Sequence, residues 1–279
     1  YGKSRAAEHS AFLTWLLAQV EEKEIDAVIV AGDIFDTGTP PSYARELYFD
    51  FVVTLNQLNC ELVVLAGNHD SVAMLGESKG LLAKLTTRVV PIASHDQAIH
   101  QQVFTLKNRQ GQDAAVICAI PFIRPRDILQ SKAGQSAGDK QQSLQQAIAD
   151  HYQSLYLLAK ELANTASKGQ LPIIATGHLT TVGVSVSESV RDIYIGTLDA
   201  FPANAFPPAD YIALGHIHRS QKVAKSDVIR YCGSPIPLSF DEAKYDKSIL
   251  MVEFDETRET IVTPITIPRF QPMLMVKAP

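Results

Sequence analysis

Four polar clusters each follow directly on an apolar run. Gly32-Asp33-Ile34-Phe35-Asp36 follows Asp26–Ala31, and Gly67-Asn68-His69-Asp70 follows Glu61–Ala66. Gly177-His178 ends the run from Pro172, and Gly215-His216-Ile217-His218 that from Tyr211. One Asp, one Asn and three His among these clusters offer carboxylate oxygen, amide oxygen and imidazole nitrogen, a mixed donor set. Such a set suits a borderline divalent ion such as Mn, Fe or Zn, whereas an all-oxygen set would suit Mg or Ca. Each cluster opens with a glycine, which lets the backbone turn sharply and lets a ligand approach closely. His216 and His218, two residues apart, share one face of a continuing strand. Taken singly, each cluster also reads as turn chemistry, and Asp36 and Asp70 as helix N-terminal residues. Four compatible clusters in one chain favour a metal site. His9, His95, His100 and His151 have no ligand partners at useful spacing and read as surface or structural residues.

To bring these clusters together, the apolar runs must be neighbouring strands whose carboxyl ends share one edge, where open α/β sheets bind ligands. Helices are expected over Ala6–Val20, Ser42–Leu58, Ser78–Leu85 and Gln141–Ala163. The alternation with all-apolar strands predicts a parallel sheet covered on both faces. Val89–Ala93, Val103–Leu106 and Ala114–Phe122 read as strands of a mixed sheet, residues 134–139 as a polar loop, and Ser248–Phe254 with Thr260–Ile267 as a hairpin.

The chain has 279 residues, 46% of them apolar and 20% charged, a composition that excludes a disordered or fibrous protein. Mean hydropathy is +0.01, and no run approaches the roughly 18 apolar residues of a membrane span. Three cysteines, Cys60, Cys118 and Cys232, sit in apolar runs and imply no disulfide framework, so a reducing cytoplasm is expected. A net charge of −5 lacks the basic footprint of a DNA-coating protein, although a bound metal cluster reverses the local sign.

The order Gly-Asp-x-x-Asp, Gly-Asn-His-Asp, Gly-His, Gly-His-x-His resembles the signature of the calcineurin-like binuclear metallophosphoesterases. Longer stretches, including VAGDIFDTGTPPSYAREL, VVLAGNHDSVA, YIALGHIHR and RYCGSPIPLSFDE, are similar to the double-strand-break repair nucleases of that family. The resemblance implies an α/β sandwich of mixed β-sheets flanked by helices. Residues 1–267 would form the nuclease domain, and 268–279 a linker toward a C-terminal capping domain. The family's first strand, ending in Asp-x-His, would precede Tyr1.

Carried over residue by residue, the resemblance makes Asp33 the bridge between two divalent ions, expected to be manganese. Asn68, His178 and His216 would bind the second ion and His218 the first. His69 would lie beside the phosphate as a catalytic residue that stabilises the transition state or protonates the leaving group during in-line attack. The implied activity is double-strand exonuclease and single-strand or hairpin endonuclease action in DNA end processing. The implied partners are DNA ends and hairpins, an ATPase subunit, and a second copy of the chain docked through helices near Pro41–Leu58 and Ser78–Leu85. Arg124 and Arg126, read as a fixed extended pair around Pro125, are the first candidates for phosphate contact. Lys132, Arg191, Arg219 and Arg230 are further candidates. A metallophosphatase or small phosphodiesterase, and an inactive docking scaffold, remain open at this point.

Overall fold

In the strand Glu61–Leu65, alternate side chains enter two different cores. Leu62 and Val64 face one apolar layer, and Val63 and Leu65 face another. That division sets the architecture, described by a computed structural model for residues 4–94, 96–129, 136–166, 170–191 and 200–273. In chain order the first elements are α1 (Ala6–Glu22), β1 (Ala27–Ala31), α2 (Ser42–Gln57), β2 (Glu61–Leu65), α3 (Val72–Glu77), α4 (Lys79–Leu82) and β3 (Thr87–Val90). Next come β4 (Val103–Lys107), β5 (Asp113–Cys118), α5 (Pro125–Ile128), α6 (Ala137–Asn164) and β6 (Ile173–His178). The chain continues with β7 (Tyr211–Gly215), β8 (Gln221–Lys222), β9 (Ile229–Tyr231), β10 (Ser248–Phe254) and β11 (Thr260–Thr266).

One sheet is β1-β2-β3, all parallel. The other has the order β4-β5-β6-β7-β9-β8, parallel in its interior with antiparallel edge strands β4 and β8. β10 and β11 form the expected antiparallel hairpin. Val63, Leu65 and Val90 of the first sheet meet Ile117, Ile174 and Tyr211 of the second in a shared core. Helices cover only the outer faces. Val52, Leu55 and Leu75 pack on the first sheet, and α6 lays Leu144, Ile148, Tyr152, Leu155, Ala159 and Ala163 along the second. These six are spaced by three or four residues, the repeat of one helix face.

The sandwich of sheets flanked by helices that the resemblance implied is thus observed, while the parallel sheet read from periodicity has helices on one face only, its other face lying on the second sheet. A continuous apolar strand satisfies either arrangement. The helix expected from Gln141 starts at Ala137, because Ser136 accepts the Asp139 amide and Asp139 accepts that of Ser136. The helix expected over Ser78–Leu85 is one short helix, α4, followed by a 3-10 turn at Ala83–Leu85, and it is preceded by a further short helix, α3, capped by Ser71. β3 lies two residues before its expected start, and β5 ends at Cys118 rather than Phe122. Among the described residues no helix is long and apolar enough to cross a membrane.

Candidate metal centre

The carboxyl ends of β1 and β2 in one sheet meet those of β6 and β7 in the other. His178 Nδ1 donates across this junction to the Ala31 carbonyl at 2.8 Å. The loops that follow are held in uncommon backbone: φ is +97° at Gly32, +54° at Asp33 and +85° at His216. For Asp33 and His216 this left-handed geometry costs energy and persists only where the surroundings impose it, as functional sites do. Gly32 cannot be otherwise, since a β-carbon there would overlap His178 Nδ1 and lie 2.9 Å from Gly67 Cα.

Donor atoms of Asp33, His178 and His216 lie within 4.8 Å of one another, and Asn68 sits among them. His178 Nε2 is 2.9 Å from Asn68 Oδ1 and 3.2 Å from Asp33 Oδ2. His216 Nδ1 is 3.2 Å from the same amide oxygen. Because the Nδ1 proton of His178 is given to Ala31, its Nε2 carries the lone pair that points at two oxygens. Lone pairs converge this way only around a cation or a proton. The pKa values agree: burial alone would lower His178, but the adjacent Asp33 carboxylate outweighs it and raises it. Asp33 resists its own burial through the same contact and is held at about 2. Burial, aided by the charge of His178, pushes His216 down to about 3, so that ring stays neutral. Its Nε2 is buried and has no hydrogen-bond partner among the described residues. These residues fit a divalent ion in donor chemistry, protonation and convergence.

Two acidic residues of the clusters prove to be positioning groups. Asp70, 4% exposed, accepts the amides of Gly67 at 2.8 Å, Phe35 at 3.0 Å and Ile34 at 3.2 Å. It clasps the loop after β1 to the loop after β2, so the distance between Asp33 and Asn68 depends on it. Burial raises its pKa despite the three amides. The turn reading of Asp70 did not reach this role. Asp36 lies 3.2 Å from His69 Nδ1, while the His69 amide donates to Asp33 Oδ1 at 3.2 Å. His69 is therefore fixed at ring and backbone beside the cluster without joining it.

His218 stands apart from the three-residue cluster. Its Nδ1 hydrogen bonds with Ser189 Oγ at 2.7 Å and Glu242 Oε1 at 3.2 Å. Arg124 covers the Phe122 ring at 5.4 Å, and its Nη1 is buried with no hydrogen-bond partner among the described residues. Its partner in the expected extended pair is not extended. Pro125 opens a helical turn, and the Arg126 side chain is 81% exposed. Arg230 is buried and unavailable to a phosphate, Arg219 stacks on Tyr245, Arg191 reaches Asp36, and Lys132 lies outside the described residues.

The calcineurin-like phosphoesterase family profile matches residues 6–220. The chain is 56% identical over 277 residues to the SbcD component of the SbcCD nuclease of Escherichia coli strain K12, covering 99% of this chain and 67% of that one. The chain belongs to the SbcD family of calcineurin-like phosphoesterases. The SbcD component of the Rhodobacter capsulatus SbcCD nuclease is 33% identical over 285 residues, covering 99% of this chain and 68% of its own length. That of Bacillus subtilis is 28% identical over 280 residues with the same two shares, 99% and 68%. Membership makes the chain a phosphoesterase enzyme of a family that uses divalent metals, and the sandwich with its strand-end donors is the fold in which it does so.

Proposed function

We propose that this SbcD-family chain hydrolyses DNA phosphodiesters with two manganese ions, as a double-strand exonuclease and a single-strand or hairpin endonuclease in DNA end processing. The observation that carries the reading is the convergence of Asp33 Oδ2, Asn68 Oδ1, His178 Nε2 and His216 Nδ1 from four strand ends. Asp33 would serve both ions, with Asn68, His178 and His216 holding one and His218 the other. When bound, divalent ions at such a site supply Lewis-acid polarisation of the phosphoryl group and a lowered pKa for water. The residues of the chain do the rest. Asp36 orients the His69 ring, and His69 stabilises the transition state or protonates the departing oxygen as general acid. Arg124, part-exposed and reaching the Asp70 carbonyl beside the site, takes a backbone phosphate without reading sequence. Arg126 is a peripheral phosphate contact.

The partners are DNA ends and hairpins, an SbcC-type ATPase, and a second copy of the chain. Val52 and Leu55 of α2 are wholly buried in the chain's own core, but Tyr43, Phe49 and Val53 leave an apolar stripe on its outer face, and Leu81 of α4 is exposed as well. This stripe supports the dimer reading. Residues 1–267 act as the catalytic domain of a cytoplasmic protein, and 268–279 serve as a linker.

The test compares Mn²⁺-dependent turnover of a small chromogenic phosphodiester with cleavage of linear duplex DNA. Cleavage of both supports the reading. Turnover of the small ester alone replaces it with a small phosphodiesterase, and turnover of neither replaces it with a scaffold.

A further inference from the structure

A second buried polar network surrounds His218. Glu242 and Lys247 form an ion pair, Lys247 Nζ to Glu242 Oε2 at 2.6 Å, with the two residues 2% and 9% exposed. A buried pair of this kind contributes little to stability compared with apolar packing, so its contacts are the better guide to its use. Both ends reach the same histidine. Glu242 Oε1 lies 3.2 Å from His218 Nδ1, and Lys247 Nζ donates to the His218 carbonyl at 2.9 Å.

Counting protons fixes the ring. Ser189 Oγ donates to Glu242 Oε1, and a hydroxyl has one proton to give. Its contact with His218 Nδ1 at 2.7 Å must then have the imidazole as donor. Both neighbours of Nδ1 are acceptors, so the neutral ring carries its proton there and its lone pair on Nε2. Ser187, which donates to Glu242 Oε1 at 2.7 Å, helps keep that carboxylate in place.

We propose that Glu242 is a positioning residue that, with Ser189 and Lys247, locks His218 in the Nδ1–H tautomer and aims Nε2 at a divalent ion. Outer partners of this kind orient a ligating imidazole and strengthen it as a donor. The inference rests on the metal reading above and extends it to residues outside the four motifs.

The experiment is calorimetric titration of the metal-free, full-length protein with Mn²⁺, paired with long-range ¹H–¹⁵N spectra of the histidine rings. Glu242→Gln is made together with Lys247→Met, so that neither charge is left buried alone. The pair of changes is expected to weaken one Mn²⁺ site about 10–100-fold and leave the other unchanged. It should add no loss in a His218→Ala background. Wild-type His218 should show the Nδ1–H tautomer, and the double variant a mixture. Ser189→Ala, which spares the ion pair, should weaken the same site to a smaller extent, and it keeps the test readable if the double variant does not fold. Wild-type Mn²⁺ affinity in these variants, a loss that adds in full to that of His218→Ala, or a wild-type ring protonated at Nε2 overturns the inference alone. A wild type that binds no Mn²⁺ overturns the metal reading itself, and the inference with it.

Discussion

Gly215 lies so close to Ala31 that a β-carbon on it would overlap the Ala31 carbonyl oxygen and sit 2.9 Å from His178 Nδ1. That oxygen is the one to which His178 Nδ1 donates at 2.8 Å. The end of β7, the end of β1 and the tautomer of a candidate ligand are therefore fixed by one close approach between the two sheets. Gly215→Ala is expected to lower the unfolding free energy by about 1–3 kcal/mol, as overpacking does. It should weaken Mn²⁺ binding as well, since His178 must move. Urea unfolding and Mn²⁺ titration of the same preparation check both.

His69 touches the cluster through its amide and holds its ring against Asp36. His69→Ala should lower the rate of DNA cleavage by about 10²–10⁴-fold, the usual contribution of a general acid, with Mn²⁺ affinity unchanged. Single-turnover cleavage alongside calorimetry separates the two effects.

Asp70→Asn presents an amide NH₂ where two loops now donate three backbone N–H groups to a carboxylate. One buried donor loses its acceptor, at a cost of about 1–3 kcal/mol. Because Asp70 sets Asn68 against Asp33, the variant should bind Mn²⁺ more weakly even at temperatures where it is fully folded. Denaturant melts and titration at low temperature check this pair of outcomes.

Burial opposes ionisation of Glu242, but His218, Lys247, Ser189 and Ser187 outweigh it and hold the carboxyl well below its ordinary 4.5. The unfolded chain therefore takes up this proton more readily than the folded one. The stability contributed by Glu242 is complete above pH 4.5 and is lost as the pH falls below that value. Urea melts from pH 7 down to pH 3 should show a shallower decline in Glu242→Gln than in wild type.

The donors of the candidate centre were legible because each directly follows an apolar strand, and strand ends are places that a sequence marks. The two-sheet sandwich was not legible in the periodicity, since a strand such as Leu62–Leu65 is apolar on both faces whether it meets helices twice or a helix and a sheet. The resemblance supplied the sandwich. Asp70 read as a turn or helix N-terminal residue because two of its three amide partners, Ile34 and Phe35, belong to a different loop, far away in the chain. Glu242 closes the stretch RYCGSPIPLSFDE that carries the resemblance, but neither it nor Lys247 showed its role: an acidic and a basic residue in a polar stretch look solvated, and only the packing shows them buried around His218. The extended reading of Arg124-Pro125-Arg126 holds at Arg124 and fails at Arg126, because proline is as suited to the first position of a helical turn as to an extended segment.

The most direct measurement is Mn²⁺-dependent cleavage of end-labelled linear duplex DNA by the full-length protein and by Asp33→Asn, with chelator as control. Asp33 is the group on which the candidate centre converges, and its substitution leaves the fold's apolar cores untouched. The expected result is cleavage by wild type that chelator abolishes and that Asp33→Asn lacks. Cleavage by Asp33→Asn at the wild-type rate would contradict the account.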